Sequence, residues 1–217
     1  VSAEGVEAPR LPRKLDKGKL AGLQDQAEFL TVSFVGDDVS GRTAEGLIFE
    51  EVRLSRALFQ ETRLNRLRMI DVEGESCDFS GAVWDSARLR RVLFKDCRLM
   101  GLQLVGADIQ DAHFVRCNLT NAIFIGSNCR NLRFQDCVLQ GASFESAHLG
   151  QIRFSGSDLT GADMRAADIA GVDFRASDIS RVQVVPEALK GLIIDPSQAA
   201  QIVAVLGVEV KDVDQEL

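Results

Sequence analysis

From Ala57 to Val184 a large apolar residue returns at every fifth position except Gly74 and Cys129, and no residue is gained or lost along the way. Phe59, Leu64 and Met69 open the series, Phe94, Leu99, Leu104 and Ile109 lie in its middle, and Phe174, Ile179 and Val184 close it. All twelve Phe of the chain, back to Phe29, Phe34 and Phe49, stand at numbers ending in 4 or 9. Random placement would put each there about one time in five, so the period belongs to the fold.

Two residues before each large residue comes a small or aliphatic one, as in Ala82, Ala87, Val92, Cys97, Leu102 and Ala107. Residues two apart on an extended chain point to the same side, so both members of each pair face inward. The remaining three positions hold mostly Asp, Asn, Arg, Ser, Thr, Gln and Gly, which suit an outer surface and tight corners. A chain that places two residues inward and then turns every five residues makes neither a flat sheet nor a 3.6-period helix. It coils around its own core.

Columns give the size of the coil. If four units complete one turn, residues 20 apart stack, and Phe94, Phe114, Phe134, Phe154 and Phe174 form one column while Leu99, Leu119, Leu139 and Leu159 form another. Like residues at strand spacing fill successive layers alike, and adjacent coils pair their backbone groups. The firm part, 47–185, is then about seven coils and about 33 Å long. Gly74 holds a large-apolar slot, where a void or a bend is expected.

The units SDLTG at 157–161, ADMRA at 162–166, ADIAG at 167–171 and CNLTN at 117–121 resemble the pentapeptide repeat proteins, over about two thirds of the chain. The resemblance implies an all-β fold, a right-handed quadrilateral β-helix, here of about 7–8 coils with a short C-terminal capping helix. It also implies a non-catalytic protein-binding solenoid. Within that family the Qnr-type and MfpA-type members bind DNA gyrase as duplex mimics and protect it from quinolones. Other members have no assigned role, so a structural or self-associating solenoid with a different protein partner stays open.

Three segments are expected. Residues 1–26 are an N-terminal tail and cap, 27–185 the repeat β-helix, and 186–217 a capping and dimerisation segment with a helix near 196–206. Residues 1–10 show no apolar period and are expected to be loosely attached. Leu11, Leu15, Leu20 and Leu23 suit a helical turn or two capping the first coil, or a partner-binding arm. In GDDVSGRTAE, 36–45, Asp37 and Arg42 fill slots that should be small and apolar, so a loop or distorted coil is expected. Asp195-Pro196 starts a helix, and Ala199, Ile202, Val203 and Leu206 make its apolar face, ended by Gly207. That segment resembles the helix through which Qnr-type proteins dimerise, so a homodimer is expected, with a simple lid over the last coil as the alternative.

Candidate chemistry is sparse. Cys77, Cys97, Cys117 and Cys137 are 20 apart and stack inward in slots that elsewhere hold Ala, Val or Ser, and Cys129 sits in a large-apolar slot. A linear buried ladder offers no tetrahedral geometry, so these cysteines read as core. Five cysteines without close pairing also argue against a secreted disulfide framework. His113 and His148 face outward on different faces. No catalytic residue, cofactor or metal is expected. No run approaches the roughly 18 apolar residues of a membrane span and no signal segment is visible, so a soluble, cytoplasmic protein is expected.

Charge bears on the gyrase reading. A duplex carries about one negative charge per 1.7 Å of axis. Residues 47–185 hold 18 acidic and 17 basic residues, a net of −1 within an overall −7. Asp158, Asp163, Asp168, Asp173 and Asp178 form an acidic collar that wraps around the rod without making a stripe, while Arg88, Arg90 and Arg91 make a basic patch. No direct contact with nucleic acid is expected. Val83, Val105, Ile123 and Ile125 fall in outward slots of one face and are the candidate partner patch.

Overall fold

The computed structural model describes residues 5–210; positions 1–4 of the expected tail and 211–217 of the C-terminal segment lie outside the described residues. The chain winds into a four-sided parallel β-helix of about seven turns. Every pairing from Glu28 onward that joins neighbouring coils has a register of 20, as in Phe94 with Phe114, Phe114 with Phe134 and Phe134 with Phe154.

The corners explain how the period is kept. Every fifth residue from Gln26 to Arg181 has positive φ, and most of these residues are not glycine. The corners of a coil are of two kinds, and those of the first kind come in consecutive pairs, as at Gly81 and Ser86. At the first kind, the chain closes a turn by donating back three residues, as in Ala82 N–H to Phe79 O at 3.1 Å around Gly81. At the other, a strand runs through the corner, and Arg88–Lys95, Asp108–Val115 and Asn128–Gln135 each cover two faces with one left-handed residue inside, Arg91, Asp111 and Asn131. We call the face carrying 88–90 and its equivalents the first, that carrying 93–95 the second, 98–100 the third and 103–105 the fourth.

Inside, the columns pack as aromatic stacks. Phe134 lies 4.9 Å from Phe114 and 5.0 Å from Phe154 with rings near parallel, and meets Phe124 and Phe144 edge-on at 6.2 and 6.3 Å. Offset and edge contacts are the favoured arrangements of two rings. The slot at Gly74 holds neither void nor bend. Strand Arg68–Glu75 pairs on both sides without interruption, and the ring of Phe94 fills the space a side chain would take. A Cβ on Gly74 would stand 2.6 and 2.9 Å from two Phe94 ring atoms. Gly74→Leu, which restores the lattice residue, is therefore expected to destabilise by about 1–3 kcal/mol through overpacking, measured as a lower urea midpoint.

The N-terminal region departs from expectation in three ways. Residues 5–10 are docked: they run along the rod axis outside the corner between the first and second faces. Residues 11–26 form no α-helix. Asp16–Lys17 pairs with Val32–Ser33 as an edge strand, and one 3-10 turn, Leu20–Gly22, buries Leu20 and Leu23 over the first coil, while Leu11 and Leu15 are half-buried. The stretch 36–45 keeps its phase, with positive φ at Gly36, Gly41 and Gly46 and strand Thr43–Glu45 paired to Arg63–Asn65. Asp37 fits its inward slot because it lies at the capped end, where it accepts the Leu20 amide at 3.0 Å.

At the other end the ladder passes residue 185. After the 3-10 turn Pro186–Leu189, Gly191 again has positive φ and Ile193 bridges to Asp173. A 3-10 turn, Pro196–Gln198, leads into the helix Ala199–Val205, with Asp195 accepting the Ser197 amide at 2.9 Å and Gln198 returning to the Asp195 amide. This is a capping box.

Candidate binding faces

The four residues of the apolar patch are brought together on the fourth face. Val105 and Ile125 are stacked neighbours in one column, and Ile123 flanks the buried Phe124 on the same stretch of chain as Ile125. Val105 is exposed, Ile123 and Ile125 are half-buried, and Val83 is buried. Val83 lies between Arg63 and Gln103 in its column, whose longer side chains flank it. The open patch is thus Val105, Ile123 and Ile125. Both isoleucines occupy outward slots, Ile123 between Gln103 and Ser143 and Ile125 between Val105 and Glu145, so Ile123→Asp with Ile125→Asp is expected to leave the fold intact, with an unchanged far-UV circular dichroism spectrum.

The five aspartates of the collar lie on all four faces, and each has a local task. Asp158, Asp163, Asp168, Asp173 and Asp178 accept the backbone amides of Thr160, Arg165, Ala170, Arg175 and Ser180 at 2.9–3.3 Å. Asp163 and Asp173 also bind the guanidinium of the arginine two residues on, and Asp173 a second one from Arg153. Those hydrogen bonds hold the carboxyls of Asp163 and Asp173 below the usual range, against the opposing effect of burial. Elsewhere the acids pair across adjacent coils, as in Arg53 with Glu73 and Arg116 with Asp96. Much of the surface charge on the body lies in such pairs.

The corner between the first and second faces carries a buried pair. Arg91 makes a fork on Asp71 at 2.5 and 2.7 Å, and both side chains are about nine-tenths buried. The arm covers them. Arg10 donates its amide to Asp71 at 2.9 Å, Glu7 donates to Asp111 at 3.3 Å, and Asn131 donates to Gly5 O at 2.7 Å. From Arg10 to Glu7 three extended residues span about 10 Å, matching the roughly 9.6 Å of the two coils between Asp71 and Asp111, and Gly5 then reaches Asn131 on the next coil. Val6 is buried, and His113 lies half-buried beside it. Burial, then the Arg133 charge, keep His113 below the usual histidine range and neutral at pH 7. His148 is exposed on the first face.

All five cysteines are free and buried. The thiols of Cys97, Cys117 and Cys137 each face the carbonyl 23 residues back, at 3.4–3.6 Å, and Ser157 places its hydroxyl in the same relation to Phe134 O. The column takes a small donor, which is why Ser replaces Cys there. Burial pushes the Cys129 thiol up to about 11.

On the helix, Ile202 and Val205 pack against the core, Val203 is half-buried, and Ala199 and Leu206 are exposed. Sequence periodicity missed the anchor, which is polar. Gln198 is buried and its amide donates to Phe174 O and Ser177 O, both at 2.7 Å. Leu206, Val208 and Val210 leave an apolar exposed edge at this end. Among the described residues, no helix is long and apolar enough to cross a membrane.

Two family descriptions match the sequence, "Pentapeptide repeat region" over residues 67–144 and "Pentapeptide repeats (8 copies)" over residues 137–175; together they span half of the chain. Among solved structures, a trypsin-treated variant of QnrB1, described as a plasmid-mediated fluoroquinolone resistance protein, is 20% identical, covering 87% of this chain and 99% of its own, with a TM-score of 0.47. HetL, a pentapeptide repeat protein involved in heterocyst differentiation regulation from the cyanobacterium Nostoc sp. strain PCC 7120, is 16% identical, covering 82% and 90%, with a TM-score of 0.46. No curated protein matches the chain.

Proposed function

The chain belongs to the pentapeptide repeat family, and from that premise we propose that it is a non-catalytic scaffold that binds a protein partner through the fourth face. The observation that carries this reading is the cluster of Val105, Ile123 and Ile125 in outward slots of a rod whose core is already filled. Apolar side chains set against each other on an otherwise polar face mark an interaction site. The exposed edge at Leu206, Val208 and Val210 supports a second contact between two copies at the C-terminal end.

Gyrase is the specific partner to test, because the repeat and the C-terminal segment resemble those of the Qnr-type members, which bind it. Duplex mimicry needs an acidic face, and the cross-coil ion pairs of this rod do not favour one. The apolar patch favours a contact of ordinary protein–protein type, through which gyrase or another protein would be held. The experiment is DNA supercoiling by purified gyrase, with and without ciprofloxacin, titrated with the wild type and with the Ile123→Asp, Ile125→Asp variant. Inhibition or drug protection by the wild type that the variant loses supports a gyrase contact on the fourth face. No effect of the wild type removes gyrase, and the partner is then sought as a protein captured by the wild type and lost with the variant. A protein captured equally by both would refute the fourth-face reading.

A further inference from the structure

The first face carries three arginines without a counter-ion among the described residues. Arg68 and Arg88 are direct neighbours across adjacent coils, about 4.8 Å apart in backbone, and Arg90 lies two residues along from Arg88 on the same face. All three are exposed. Like charges directly opposite one another on adjacent strands are destabilising. Most arginines of the body that stack this way face an acid and pair with it, including Arg53, Arg91, Arg98 and Arg116. Among the described residues, Arg68, Arg88 and Arg90 have no ion pair. Asp108, the carboxylate next to Arg88 in the column, is turned the other way and accepts from Arg130 at 3.1 Å and Asn128 at 3.2 Å. Arg91, close in sequence, is held by Asp71 and belongs to the neighbouring corner. A depression of about 410 Å³ lies beside Arg68 and Arg88, bounded by Gln26, Gly46 and the Glu45-paired Arg66.

We propose that Arg68, Arg88 and Arg90 form a carboxylate-binding patch that receives an acidic segment of a protein partner. The proposal rests on the scaffold reading but uses a different face. A guanidinium presents a planar fork that matches a carboxylate with two parallel hydrogen bonds. Side chains two apart on an extended peptide project to one side at about 6.6–6.8 Å, a spacing that two neighbouring arginine forks can meet. A nucleic acid fits less well. Its phosphates continue past the patch in both directions, where Glu28 and Asp108 bound the Arg68–Arg88 column and Glu50 stands on the same face. A short acidic segment ends before it meets them.

The test is fluorescence anisotropy of a labelled hexaglutamate peptide with the full chain at about 50 mM salt, where exposed charges are lightly screened. The expected result is saturable binding that weakens with added salt, falls by about tenfold or more in Arg68→Glu with Arg88→Glu, and is unchanged in Arg181→Glu, on a distant corner. Arg68→Gln with Arg88→Gln, with circular dichroism of both double variants, separates loss of charge from loss of fold. Ile123→Asp with Ile125→Asp should bind the peptide like the wild type, so failure of the fourth-face reading and failure of this one are told apart. No binding by the wild type, equal binding by the charge-reversed variant, or tighter binding of a short DNA duplex at the same residues would overturn the proposal.

Discussion

Phe134→Ala is expected to cost about 4–5 kcal/mol, the upper part of the range for removing a buried ring. Phe134 is fully buried and has aromatic neighbours on four sides, Phe114 and Phe154 stacked in its own column and Phe124 and Phe144 edge-on across the core. Each such contact adds about 0.5–1.5 kcal/mol beyond buried area. The site cannot collapse into the cavity, because the backbone ladder at 4.8 Å spacing holds the coils above and below apart. Phe134→Leu keeps most of the volume, and the next column already uses Leu119, Leu139 and Leu159, so it should cost about 1–2 kcal/mol. Urea unfolding followed by the fluorescence of Trp84, the one tryptophan, measures both. Because Trp84 lies two to three coils before Phe134, the Ala variant should also separate the C-terminal coils from the transition that Trp84 reports, as nearest-neighbour coupling in a solenoid requires. A loss below about 1 kcal/mol would mean that the stack is not the core of the rod.

The second large effect lies on the outside. Asp71→Ala removes the acceptor of two Arg91 hydrogen bonds and of the Arg10 amide, and leaves a buried guanidinium without a partner. Breaking a buried pair from one side costs about 3–5 kcal/mol; about 3 is expected here, since the pair is shielded only by the arm. Asp71→Ala combined with Arg91→Leu should recover most of that loss, because the cost is the uncompensated charge. The arm gives an independent readout, since trypsin should cut after Arg10 quickly in Asp71→Ala and slowly in the wild type. The pH dependence follows from the same residue. Burial acts to raise the Asp71 carboxyl, but the Arg91 hydrogen bonds and the Arg10 amide outweigh it, so its folded value lies below the unfolded one. The pair's contribution is therefore complete above the unfolded value near 4 and is lost as pH falls through the folded one. As pH drops below about 4, the urea midpoint of the wild type should fall more steeply than that of Asp71→Ala, whose other paired carboxylates still titrate.

The five-residue lattice made the core legible because an inward slot is decided by one property, apolar bulk, that a sequence displays directly. Phe94 to Phe174, the leucine column and the cysteine column all stand where their numbers put them. Exceptions arose where a neighbour far along the chain satisfies the odd residue. Gly74 is filled by the ring of Phe94, and Asp37 by the amide of Leu20. The arm was not legible because residues 5–10 have no pattern of their own; their order comes from Asp71, Asp111 and Asn131, one corner column read at intervals of 20. Reading the corner columns as closely as the core columns would have shown that run of acceptors and the Asp71–Arg91 pair within it. The helix face was rotated because periodicity counts apolar residues only, whereas Gln198 anchors the helix with two hydrogen bonds and brings Val205 inward. On the outer faces a sequence shows which residues stand out but not which are paired, and pairing is what distinguishes Arg68, Arg88 and Arg90 from Arg53 or Arg116.

The fold is one unbroken coil of 20 residues per turn with the arm laid across it. Amide hydrogen exchange resolved by residue tests this most directly. The account predicts that the ladder amides of 48–55, 68–75, 88–95, 108–115 and 128–135 exchange slowly and alike, with no weak coil at Gly74, and that the amides of Glu7 and Arg10 are protected. Fast exchange through 68–75, or at Glu7 and Arg10 together, would contradict it.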